Sequence, residues 1–183
     1  MAINIPESIP SDFPELPIGS YQAVISALWD IGIQKSDYQG EIKFKHQMII
    51  QYEINKLIPE GKYEGDRYTI NAWTSIPKSF DDRSIFIKLR NSAEQFVSTA
   101  SDYIDYDEQK LIGKNIILNI SHNKNQKAAI ESFGPLMEGM ALMETKLKSS
   151  VEETPVWVQK QAAKAVDPQE NGQPPAPEDD LPF

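Results

Sequence analysis

The side chains best suited to chemistry are cations and flat rings, and they recur along two consecutive strand-like segments. From 42 to 55 the sequence alternates with period two: Phe44, His46, Met48, Ile50, Tyr52 and Ile54 share one face, and Lys43, Lys45, Gln47, Ile49, Gln51 and Glu53 share the other. From 67 to 76, Tyr68, Ile70 and Ala72 alternate with Arg67, Thr69, Asn71 and Trp73. The polar faces therefore offer Lys43, Lys45, Gln47, Arg67 and Trp73, and the adjoining turns add Lys35, Tyr38, Lys62, Tyr63 and Lys78. Ammonium and guanidinium groups pair with phosphates, and aromatic faces accept stacked bases. This is the chemistry of a groove for single-stranded nucleic acid. The competing reading is a solvated strand face for the lysines, with Trp73 packed under a helix or loop. Trp29, among Ile25, Ala27 and Ile31, reads as core.

Other chemistries have less to stand on. The two histidines, His46 and His122, fall in different elements without a metal-binding spacing, and read as a strand and a turn residue. Asp102, Asp105, Asp107 and Glu108 cluster, but without the spacing and glycine of a calcium loop, and read as a solvated acidic turn. There is no cysteine, which excludes disulfides and thiolate chemistry and fits a reducing cytoplasm. No glycine-rich phosphate loop or nucleophile elbow appears. The expectation is a protein without catalytic activity or cofactor.

A second site lies at 178–183, Glu178-Asp179-Asp180-Leu181-Pro182-Phe183. A ring and carboxylate at the end of an acidic run can fill an apolar pocket with a basic rim, so Asp179, Asp180, Leu181, Pro182 and Phe183 read as a partner-binding tip.

The elements that must position these groups follow from pattern. Tyr21–Ile33 reads as a first strand, Ser36–Glu41 as a turn, 42–55 as a second strand and 67–76 as a third. A helix follows, capped by Ser84 or a nearby aspartate, with Ile85, Leu89, Ala93, Phe96 and Ala100 in one stripe. Leu111–Ser121 and Ala128–Phe133 are a fourth and a fifth strand. Leu136, Met140, Met143 and Leu147 suggest an amphipathic helix, and Pro155-Val156-Trp157 opens another. Three strands, a helix and two strands is the element order of an all-β, five-stranded OB-fold Greek-key barrel. A split α+β sheet or a small sandwich with a helical insert has the same order.

Charge and proline divide the chain. The net charge is −9, yet residues 1–20 carry −3, residues 21–149 only −1, and residues 150–183 the remaining −5. Ten of the 13 prolines lie in 1–17 and 155–182. Segment 167–180 has Ala176 as its one aliphatic side chain and reads as disordered. The division is an extended arm at 1–19, the strand domain at 20–135, a helical extension at 136–166 and an acidic tail at 167–183. The acidity thus belongs to the flanks and does not exclude nucleic acid from the body, whose cations need only be clustered. No apolar run is long enough for a membrane helix, and the first residues show no signal-peptide pattern.

The ending Asp179-Asp180-Leu181-Pro182-Phe183 resembles the C-terminal tip of bacterial single-stranded DNA-binding proteins. The body, through Tyr21-Gln22-Ala23-Val24, Trp29-Asp30-Ile31-Gly32-Ile33-Gln34, Ile50-Gln51-Tyr52-Glu53-Ile54, Tyr68-Thr69, Pro77-Lys78-Ser79 and Leu89, is more similar to OB-fold single-stranded DNA-binding proteins of bacteriophages. The resemblance implies a protein that coats single-stranded DNA in the bacterial host cytoplasm during replication, recombination and repair. It also implies that the tip recruits proteins of those processes. The departure from the family is a short aspartate run. Two other readings stand beside this one: an adaptor whose body binds protein, and an RNA-binding OB protein. Homo-oligomer formation stays open.

Overall fold

The computed structural model describes residues 13–146 and 154–167. The protein is β-rich, built on a five-stranded antiparallel sheet with order β3-β2-β1-β4-β5. The strands are β1 (Gly19–Tyr38), β2 (Glu41–Leu57), β3 (Arg67–Ser75), β4 (Asn115–His122) and β5 (Ala128–Pro135). Helix α1 (Ile85–Glu94) falls between β3 and β4, followed by a short α2 (Ala100–Tyr103) and a 3-10 turn at Glu108–Leu111; α3 (Val156–Ala162) closes the described chain.

β1 organises the sheet because it belongs to two ladders. Residues 19–24 pair with β4 and residues 23–38 pair with β2. The handover needs a bend, and the register with β2 shifts between Ile25 and Ala27 and again between Asp30 and Ile33. At the second shift Gly32 adopts φ +71, a conformation open to glycine at little cost. Beyond it, β1 and β2 form a long hairpin ending in a two-residue turn. Gln39 and Gly40 have φ of 55 and 82, the paired positive values of a type I′ turn. The expected turn at 36–41 thus shrinks to its centre, and Ser36, Asp37 and Tyr38 stay in the strand.

The inner face of the sheet is apolar. Met48, Ile50, Tyr52 and Ile54 of β2 meet Ala23, Ile25 and Leu28 of β1, Tyr68 of β3, and Ile116, Leu118 and Ile120 of β4. Each fully buried aliphatic side chain of this kind contributes about 1.5–3 kcal/mol. Helix α1 closes the layer with Phe86, Ile87, Leu89 and Ala93.

Three expectations need correction. First, the helix stripe is rotated and shorter. Ile85 is exposed, and Phe96 and Ala100 lie beyond the helix. The helix stops because Gln95 turns left-handed at φ 58 and the Asn91 side chain accepts from the Ser98 amide at 3.0 Å. Second, no helix forms over 136–146. Gly139 has φ +83, and side chains of the sheet hold the backbone extended: Asn115 bonds both the amide and the carbonyl of Met143, at 2.8 and 3.0 Å. Third, the sheet is not closed. No ladder joins β3 to β5 among the described residues. Instead a cleft of 570 Å³ runs between Ile70–Thr74 of β3 and Ala128–Phe133 of β5, with α1 along it. None of the helices among the described residues is long and apolar enough to cross a membrane.

Candidate nucleic-acid interface

The outward face of β1, β2 and β3 holds most of the expected site, and the register specifies it. Directly opposed residues share a face. Trp29, Ile49 and Trp73 form one row across the three strands; Gln47 opposes Ser75, Lys45 opposes Gln34, and Lys43 opposes Ser36. Lys43, Lys45, Gln47, Arg67 and Trp73 therefore share the outward side, as the alternation requires. Lys35 opposes Phe44 and so belongs to the other side of the hairpin. Tyr38 stands opposite Glu41 beside the tip. Lys78 is exposed in the segment after β3. Asp179, Asp180, Leu181, Pro182 and Phe183 lie outside the described residues.

Two stretches of the C-terminal chain cross this face. The first, residues 140–146, covers the end near Glu53. Glu53 is 1% exposed and its carboxylate accepts from Arg67 Nη1 at 2.6 Å, from the Thr145 hydroxyl at 2.9 Å and from the Lys146 amide at 3.0 Å. Arg67 also donates to the Glu144 carbonyl at 2.9 Å. Gln22 Nε2 donates to the Ala141 carbonyl at 2.7 Å, and Met143 is buried over the strands. Arg67 is thus in the predicted row but committed to a buried carboxylate. A phosphate competing for it would draw the guanidinium away from the buried Glu53 carboxylate, which is costly.

The second stretch is α3. Val158 is 1% exposed and packs with Ile31 and Ile49, flanked by Trp29 and Ala162. The segment after the helix continues the docking: the Val166 amide donates to the Ile33 carbonyl at 2.9 Å. A Cβ on Gly32 would come within 3.0 Å of Ala165 Cβ, so this glycine also makes room for α3. Trp29 is consequently not in the main core but on the outward face, beneath α3. Its ring meets Trp157 edge-on at 5.7 Å, and Trp157 lies 6.3 Å from Trp73.

Trp73 itself remains 50% exposed. On the hairpin beyond it, Lys43 and Lys45 are exposed, Lys43 within 3.1 Å of the exposed Glu41. What the face offers is an aromatic ring, amides and ammonium groups on a hydrogen-bonded ladder. It can stack a planar ligand and neutralise phosphates.

The remaining candidates have local duties. His46 Nε2 bonds Asp30 at 2.7 Å, and His122 Nε2 bonds the Leu16 carbonyl at 2.8 Å. The Thr99 amide and hydroxyl both donate to Asp102, which closes a capping box on α2 and holds that carboxyl below the usual carboxylate range. Asp107 accepts from the Gln109 amide at 3.1 Å. No group of three or more metal-ligating side chains occurs among the described residues.

Pattern reasoning does not reach Trp157. Its helix is visible from Pro155-Val156-Trp157, but the face on which a seven-residue helix docks is not encoded by its own period. The available signal was composition: the chain has three tryptophans, and the fold gathers all of them. No family model matches the chain, and no curated protein matches it either.

Proposed function

We propose that this protein binds single-stranded DNA on the outward face of β2 and β3, without sequence preference and without catalysis. The observation that carries the reading is Trp73: an exposed ring on a rigid strand, on the same face as Lys43 and Lys45 of the hairpin. The sheet order supports it. A five-stranded OB barrel unzipped between its third and fifth strands leaves the order β3-β2-β1-β4-β5, with a helix between β3 and β4. Both β3 and β5 run parallel to β1 and line one cleft, as the two sides of such a seam must. In OB-folds the ligand crosses the second and third strands between the hairpin tip and the loop before the last strand. Here these are Gln39–Gly40 and 123–127.

The tip Asp179-Asp180-Leu181-Pro182-Phe183 then serves as a hook for replication, recombination or repair proteins, in the cytoplasm of a bacterial host. This part of the reading rests on its resemblance to bacterial tips.

Titration with oligo-dT, monitored by tryptophan emission and by anisotropy, tests the function. Expected are quenching, a binding constant that falls as salt rises, and a loss in Trp73→Ala worth about 1–3 kcal/mol. Removal of 178–183 should leave affinity unchanged or tighter. Absence of binding at low salt overturns the reading in favour of a protein-binding adaptor. That alternative draws on Arg67, which the fold spends on Glu53, and on the near-neutral body. Tighter binding of oligo-U than of oligo-dT points to RNA.

A further inference from the structure

We propose that α3 forms part of the nucleic-acid surface, with Trp157 supplying a second stacking face beside Trp73; the proposal rests on the single-stranded DNA reading above. Three observations carry it.

The first is convergence. Trp157 is remote in sequence from Trp29 and Trp73, yet its ring contacts both, edge-on to Trp29 at 5.7 Å and tilted to Trp73 at 6.3 Å. The second is the division of roles along α3. Val158 and Ala162 provide the apolar footing against Ile31 and Ile49. Trp157 keeps 37% of its surface in water, next to a Trp73 that keeps 50%. A ring whose task is only to seal a helix onto a sheet gains by hiding its faces, whereas a stacking platform must leave them open. The third is charge. α3 and the turn after it carry Lys160 and Lys164, both exposed, and the Gln161 carbonyl accepts from Gln34, which stands opposite Lys45. The outward side thus carries ammonium groups from two elements together with the rings, a composition suited to a strand whose bases stack while its phosphates are neutralised.

The test uses the full chain and labelled oligo-dT, with anisotropy as the readout. Trp157→Ala is expected to weaken binding about five-fold or more, the lower end of a lost base stack. Trp157→Phe should recover most of that loss. Val158→Asp, which removes the footing of α3 but leaves every ring intact, should weaken binding by a similar factor. Unchanged or tighter binding by Trp157→Ala, with the parent chain binding, overturns the proposal and makes α3 a cover over the site. No binding by the parent chain overturns the single-stranded DNA reading itself, and this inference with it. A second readout does not depend on α3 staying docked in a variant. In Trp29→Phe/Trp73→Phe, Trp157 is the sole tryptophan, and saturating oligo-dT should quench its emission. Unchanged emission at saturation overturns the stacking role.

Discussion

Two stretches of the same C-terminal chain lie on the same face of the same sheet, and they are held by opposite means. Residues 140–146 are fastened by polar contacts, with Glu53 as the hub for Arg67, Thr145 and Lys146, and Asn115 gripping Met143. α3 is fastened mainly by Val158 between Ile31 and Ile49 and by tryptophan rings. Polar fastening consumes the groups that a ligand could use, because its donors and acceptors are already matched around the buried Glu53 and Asn115 side chains. Apolar fastening consumes only one side of the helix and leaves Lys160 and part of Trp157 in solvent. The difference separates an end of the face whose polar groups are spent on its own chain from an end whose lysines stay in solvent.

The largest expected effect falls on the polar end. Arg67→Ala takes the guanidinium away from the buried Glu53 carboxylate, and a loss of about 3 kcal/mol in global stability is expected in urea unfolding. If stability falls by less than about 1 kcal/mol, the polar fastening is not structural and Arg67 returns to the list of phosphate partners. Next is Val158→Ala, which removes two buried carbons and should cost about 1.5 kcal/mol of α3 docking. The readout is local: faster amide exchange at 158–166 and faster proteolysis near residue 154, with the sheet amides unchanged. Global unfolding in its place would merge the two ends into one cooperative unit. Gly32→Ala comes third. At φ +71 the added methyl costs about 1 kcal/mol and presses on Ala165, so exchange at the Val166 amide should rise. The smallest effect belongs to the inner face. Tyr52 is fully buried, its hydroxyl has no hydrogen-bond partner among the described residues, and burial pushes its phenol well above the ordinary range. Tyr52→Phe should therefore be neutral or stabilising by up to about 1 kcal/mol. Destabilisation there would reveal a partner for that hydroxyl.

Period two made the inner face legible in the sequence. Met48, Ile50, Tyr52 and Ile54 are core as the alternation requires, and Arg67 and Trp73 lie on the side opposite Tyr68. What alternation cannot encode is which distant segment lands on the outward face. Glu53 reads as a solvated glutamate until the backbone of 144–146 is laid over it, and Trp29 reads as core until the register shifts of β1 turn it outward. The same limit explains the rotated stripe of α1. A three-to-four spacing admits two neighbouring faces, and the left-handed turn at Gln95 that ends the helix before Phe96 is a single-residue event with no periodic signature. Strand pairing is likewise silent in a one-dimensional pattern, so the element order suggested a closed barrel while the ladder stops at β3 and β5.

The dual membership of β1 also sets an order of assembly. Its pairing with β2 starts from a two-residue turn and zips between neighbours in the chain, whereas its pairing with β4 joins partners such as Gly19 and Ile120 across most of the domain. Closing the short loop costs little entropy and closing the long one costs much more. The hairpin should therefore form early and act as a template, and the first four residues of β1, which pair with β4 alone, should remain unpaired until β4 arrives. In a refolding pulse, the ladder amides of β2 gain protection before those of Gly19–Gln22. A chain still emerging from the ribosome would already hold its lysine-bearing hairpin while its sheet was incomplete.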